Sequence, residues 1–383
     1  MIDKLRQQWA RTAAWAAAAL TAAALYGTAV ASVAQHDAPS SASLVTASTA
    51  TSPPTSLVSL LRQPLVATAY GPRPNGSLVD NGAAGSNIVH DRDGSGALHI
   101  DEQRIVGDYV TASLLHAQPR YAQRGWVAAR WGFGRQNADG SFGGADAVHG
   151  STMFIEAVLR ALLIELESNQ TSAGADLLPS AMRGVRSLAR RNPDTDPELQ
   201  RSVPLTHRFW IKAALMEQAS QLSGEVSLSA IATDYANRAI AQQTADGIYP
   251  ERGGYDVGYQ ATGIVYATRY WIYCDDAAQR ARVAASVARG LRWLGQRVDA
   301  DGRVDSSGSR RIGVERTWTG RIKGIPYGLV AEAFAAGAAI TGDRVNADIA
   351  ARIEASPAFI AYYQPRPAAQ APAPQPTLEM IPR

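Results

Sequence analysis

Cysteine is nearly absent from this 383-residue chain: Cys274 is alone. An internal disulfide and a cysteine-based zinc site are therefore both excluded. Aromatic residues are sparse at 7%, and Val/Ile/Thr-rich alternating runs that would read as strands are missing. A Lys/Arg block is missing too, and a net charge of +3 over this length is a mild bias, so nucleic acid is not an expected partner. What remains is 46% hydrophobic and 19% charged, enough for a sizeable core in one large domain or two ordinary ones.

The ends are distinct from the middle. Lys4, Arg6 and Arg11 precede an apolar Ala/Leu-rich run from Thr12 to Ala34, with small residues offering cleavage after Ala31 or Ala34. Residues 1–34 read as a bacterial-type export signal, or, uncleaved, as a membrane anchor. Either way the folded part is expected in the periplasm or outside the cell. Residues 35–56 form a Ser/Thr/Ala/Pro linker and residues 364–383 a Pro-rich tail, neither able to bury a core. The globular domain is expected over 57–363.

Within it the spacing of apolar residues predicts helices at about 103–117, 121–135, 147–168, 178–191, 205–223, 228–244, 258–273, 277–298, 322–341 and 343–354. The class is all-α. Asp-Gly pairs at 139, 246 and 301 each end a helix, which makes a helical hairpin of roughly 50 residues the repeating unit. Glycine suits such a turn because it accepts positive φ. The stretch GGADAVHGST (143–152) aligns with GGYDVGYQAT (253–262), so two helices begin alike, with Asp146 and Asp256 as expected N-caps. Helix starts near 146, 206, 256 and 319 predict first turns that converge on one rim.

WGFGRQNADGSFGG (131–144) and RGLRWLGQRVDADG (289–302) resemble the QW-type repeats of terpene cyclases and related α/α-toroid proteins. Val298 stands where the second copy would carry Gln; Gly132 and Phe142 depart from the pattern in the first. The cyclase Asp-x-Asp-Asp motif is absent, since Pro197 interrupts Asp194-Thr195-Asp196. An exported toroid with polar, aromatic helix starts is more similar to the α/α-toroid polysaccharide lyases and glycosidases, over about 100–356, although the Asn-Asn-His stretch of alginate lyases is missing. The resemblance implies an incomplete barrel of about five helical hairpins and a polysaccharide substrate.

The residue types carry the chemistry. Eliminative cleavage of a uronate polymer needs a base for the C5 proton, a partner for the carboxylate and an acid for the leaving oxygen. Tyr259 as base and acid, or His149 as base with Tyr259 as acid, would serve, with Arg208 and His207 on the carboxylate. Tyr255, Arg252, Glu251, Asp256, Asp146, Trp318 and Arg321 are the expected substrate contacts. A glycoside hydrolase would instead use two carboxylates from Asp146, Asp256, Glu251 and Glu315. A non-catalytic carbohydrate-binding or exopolysaccharide-assembly protein is the third reading. Finally, DRDGSGALHIDE (91–102) matches an EF-hand loop, with Asp91, Asp93, Ser95, the Ala97 carbonyl and Glu102 as ligands of a structural Ca²⁺.

Overall fold

The computed structural model describes residues 53–364 except 75, 201–204 and 318. The expected export segment, the expected linker up to residue 52, the expected tail from residue 365 and Trp318 lie outside the described residues. The described chain is all-α, and β-structure among these residues is limited to isolated bridges.

Two short helices, α1 (Leu57–Leu61) and α2 (Pro64–Ala69), precede α3 (Asn87–Asp93) and a 3-10 turn, Ile100–Arg104. Then come α4 (Ile105–His116) with α5 (Pro119–Phe133), and α6 (Ala147–Glu167) with α7 (Leu178–Ala189). A one-turn α8 (Pro197–Gln200) leads to α9 (Thr206–Ser223) with α10 (Val226–Gln242). The chain finishes with α11 (Val257–Tyr273) and α12 (Ala277–Gly295), α13 (Tyr327–Thr341) and α14 (Arg344–Ala355), and α15 (Pro357–Tyr363).

The first helix of each pair packs on the first helices of its neighbours, in the order α4, α6, α9, α11, α13. Each second helix packs on its own partner from outside. Burial follows that arrangement. On α7 only one stripe is covered (Ala181, Met182, Val185 and Leu188), whereas α6 is buried on nearly every face. Helix α6 is long and apolar enough to cross a membrane, but 83% of that stretch lies inside the protein, so it is a core helix. Its Phe154, Ile155, Val158, Leu159 and Leu163 are fully buried, each worth about 1.5–3 kcal/mol. Helix α2 packs beside α13, and α1 lies against the ends of α6 and α11: Glu167 accepts from the Val58 amide (2.8 Å) and from the Tyr273 hydroxyl (2.6 Å).

The Asp-Gly turns recur as the sequence predicts. Gly140, Gly247 and Gly302 have φ of +90°, +100° and +74°, and a methyl group on any of them would overlap the carbonyl oxygen of Arg183, Arg289 or Arg352 on the next outer helix. In two copies the repeated glutamine ties the same helices together. Gln136 Nε2 donates to Ser180 O, and Gln243 Nε2 donates to Ser286 O, both at 3.0 Å. Val298 cannot make that bond, and the third copy relies on its turn alone.

Two expectations change. The helix expected from 322 begins at Tyr327, because Gly320 (φ +77°), Gly324 and Pro326 hold residues 316–326 in a turn closed by an Arg316–Ile322 bridge. And α3 runs into the 91–102 stretch, so Asp91 and Asp93 belong to a helix end, not to an open loop.

Candidate functional site

Between the five first helices lies a cavity of about 530 Å³, rimmed by their N-terminal turns and by the 305–326 loop. The four residues expected to be catalytic meet there, with Asp146 and Asp256 beside them. His149 stands in the first turn of α6, His207 and Arg208 in the first turn of α9, and Tyr259 in the first turn of α11.

His207 is central. Its ring centroid lies 4.4 Å from that of Tyr259 and 5.9 Å from that of His149. Its Nδ1 lies 3.0 Å from Glu251 Oε2. Burial holds both imidazoles below their ordinary range; for His149 the charges of Arg208, His207 and Lys212 add to it, and for His207 Glu251 opposes it. Both are therefore neutral at neutral pH.

Tyr259 is the most elaborately held side chain. Lys323 Nζ donates to its hydroxyl at 2.7 Å, and the Arg311 guanidinium sits 4.1 Å from its ring centroid. Burial pushes the phenol up to about 12, with Arg311 pulling the other way. Burial and then Arg311 push Lys323 down to about 8, against Glu315 and Asp256. Arg311 in turn donates to Glu315 (2.7 Å) and Glu251 (3.3 Å).

Asp256 organises this corner. One carboxylate oxygen caps α11 through the amides of Gly258 and Tyr259; the other accepts the amides of Arg311 and Ile312 at 2.9 and 2.8 Å. A single buried carboxylate thus ties the Tyr259 helix to the loop that carries Arg311 and Lys323.

Neither a family model, nor a curated protein, nor a solved structure matches this chain.

Several expected roles are corrected by the geometry. The Asp146 side chain does not cap α6: its backbone is left-handed (φ +45°), no amide donates to its carboxylate, and that carboxylate is paired with both terminal nitrogens of Arg208. The pull of a guanidinium outweighs a neutral amide. Arg208, expected to neutralise a substrate carboxylate, therefore already holds one. Glu251 is buried behind His207 and does not line the cavity. Tyr255 lies outside the cavity as well, packed on Trp293 with ring centroids 5.1 Å apart, and it donates to Ser307 O. Arg252 is exposed and paired with Glu315 at 2.6 Å. Arg321 is exposed in the 316–322 turn, away from the cavity lining.

The Ca²⁺ ligand set is not gathered either. Asp91 accepts from Arg135 (2.6 Å) and from the Trp131 indole (3.1 Å), and Asp93 accepts from the Ser95 amide and hydroxyl. Ser95 and Ala97 are exposed, and Glu102 sits in the 3-10 turn beside Gly85. In this arrangement Arg135 occupies Asp91, and an ion bound at 91–102 would have to displace it.

Deeper in the cavity is a cluster that was not expected. Tyr70 donates to Glu332 at 2.8 Å, Arg269 reaches Glu332 (3.2 Å) and Glu156 (3.5 Å), and Arg160 Nε lies 3.3 Å from Glu156. The available signal was Glu156 and Arg160, charges four apart in an otherwise apolar helix. Arg311, in a loop without periodicity, offered none, and Lys323 was marked only by its place beside the expected helix start near 319.

Proposed function

We propose that this protein is an exported lyase that cleaves an acidic, uronate-containing polysaccharide by β-elimination, on an incomplete α/α toroid of five hairpins. The observation that carries the reading is the Tyr259 corner: a phenol gripped by Lys323 and Arg311, beside two neutral imidazoles, facing an open cavity.

The cation on one lone pair of the phenol oxygen leaves its proton free to point at a leaving group. Neutral His149 is the base that takes the C5 proton, the C4–O bond breaks, a C4–C5 double bond forms, and Tyr259 protonates the departing oxygen. The directions of the two shifts favour this division of labour over Tyr259 as base, since burial keeps the phenol protonated. The cavity is lined by five arginines and Lys323 against five carboxylates, a balance one charge to the positive side, and a polymer carboxylate would compete for arginines such as Arg208 and Arg311. Hydrolysis would need two carboxylates facing the bond. At the rim Asp256 is occupied by four amides, and Asp146, Glu251 and Glu315 are held by arginines. A Ca²⁺ ion, if bound at 91–102, would serve the fold and not the reaction.

The test is a screen of uronate polysaccharides for the ultraviolet absorbance of unsaturated ends, with Tyr259→Phe alongside. The substitution is expected to lower the rate by about 100-fold or more. New reducing ends without absorbance would mean hydrolysis instead, and Tyr259→Phe at full rate would remove the phenol from the mechanism.

A further inference from the structure

Lysine is scarce here: Lys4, Lys212 and Lys323 are the only three, and the other basic side chains are arginine. A chain that uses arginine almost everywhere keeps a lysine at the one place where a cation touches the Tyr259 hydroxyl. The two cations differ in a property that matters there. Arginine stays charged at any accessible pH, whereas a buried ammonium gives up its proton readily.

We propose that Lys323 is the relay partner of Tyr259, returning a proton to the phenol after each turnover and recovering its own from solvent. This rests on the assignment of Tyr259 as the acid. In sequence, the C4–O bond breaks as the leaving oxygen takes the phenol proton. The resulting phenolate takes a proton from the Lys323 ammonium along the 2.7 Å hydrogen bond. The neutral amine is then protonated by water and His149 returns the C5 proton to solvent, so charge and protons balance over the cycle. The direction is downhill: burial places the lysine near 8 and the phenol near 12, so the proton moves from nitrogen to oxygen. It also supplies an acid whose strength is close to the working pH, where general acids are most effective.

The surroundings of Lys323 sustain that role. Arg311 on its own loop and Arg104 on the 3-10 turn disfavour a second positive charge, while Glu315, with an oxygen 3.9 Å away, and Asp256 at the start of α11 prevent its complete discharge. Lys323 is half-buried and lines the cavity, so solvent reaches it between turnovers.

Two measurements on the full chain test the relay. In the pH profile of kcat for elimination, the wild type is expected to lose rate as pH rises through about 8. Lys323→Arg should be slower by about 10-fold or more and should lack that alkaline limb. The second measurement needs no substrate. With ¹³Cε-lysine labelling the chain carries three signals, and Lys323→Arg identifies the relevant one. It should titrate near 8 in the wild type and at lower pH in Tyr259→Phe, which removes the acceptor that favours the ammonium. Lys323→Arg at wild-type rate with the alkaline limb intact overturns the relay. So does a Lys323 signal that titrates like free lysine, near about 10.4, or one indifferent to Tyr259→Phe. Should no uronate polymer be cleaved, the lyase reading falls, while the titration still decides whether lysine and phenol share a proton.

Discussion

Single residues at this site show burial acting on charge. Lys212, one turn below Arg208, is 3% exposed, and its ammonium has no hydrogen-bond partner among the described residues; the Tyr235 ring centroid lies 5.5 Å away. Burial and then Arg208 push it down to about 7 from 10.5, against Asp146 and Asp196. The unfolded chain therefore holds more protons between those values, and the contribution of this residue to stability rises with pH across that window. Below pH 7 the full burial cost is present. Lys212→Met should accordingly raise the melting temperature at pH 6, with a gain that shrinks towards pH 10; a thermal scan at both pH values checks this. For His149 the lowered basicity has a kinetic consequence. The base must be neutral, so the acid limb of kcat/KM should lie below pH 6.5, and a midpoint above that value would exclude His149 as the base.

Among the elements, the junction between α11 and the 305–326 loop is the most exacting. Asp256→Asn exchanges one acceptor oxygen for an amide that faces donors, and is expected to cost about 2–4 kcal/mol in denaturant unfolding while displacing both Tyr259 and Arg311. Activity should fall further than stability explains at temperatures well below melting. Gly247→Ala should be strongly destabilising, because the turn needs positive φ and the methyl would meet Arg289 O. Added Ca²⁺ is expected to leave the melting temperature unchanged while Arg135 occupies Asp91; a rise would mean that 91–102 rearranges around the ion.

Legibility at this scale was uneven for physical reasons. The ten long helices were readable because each buries a stripe or a whole surface, and that imposes a period of three to four residues. Helices α1, α2, α3, α8 and α15 were not, since they are too short for a period and are held by contacts made elsewhere in the chain. Of the rim, His149, His207 and Tyr259 were legible through the repeated helix starts. Lys323 was legible as a rim residue beside the start near 319, but its contact with the Tyr259 hydroxyl was not, because nothing in a glycine-rich loop tells which atom its ammonium will reach. Tyr255 looked like a binding residue and is a wedge against Trp293.

At the scale of the whole molecule, the deep cluster joins α2, α6, α11 and α13 through Tyr70, Glu156, Arg269 and Glu332. Arg269→Met would leave buried Glu332 without its cation and Glu156 with Arg160 alone, and is expected to cost about 3–5 kcal/mol in urea unfolding. Adding Glu332→Gln to that variant should recover part of the loss, and a purely additive double variant would argue against a linked cluster.

What the sequence determined by itself was class, repeat and register: all-α, hairpins closed by Asp-Gly turns, and two helices that begin alike. These are local properties, written in the spacing of apolar residues and in the backbone freedom of glycine. Tertiary structure alone decided which charges are free. Asp146 and Asp256 occupy equivalent places in two aligned segments, yet one is drawn to Arg208 and the other takes four amides, because a carboxylate's partner is chosen by what the fold brings within 3 Å and not by its neighbours in the chain.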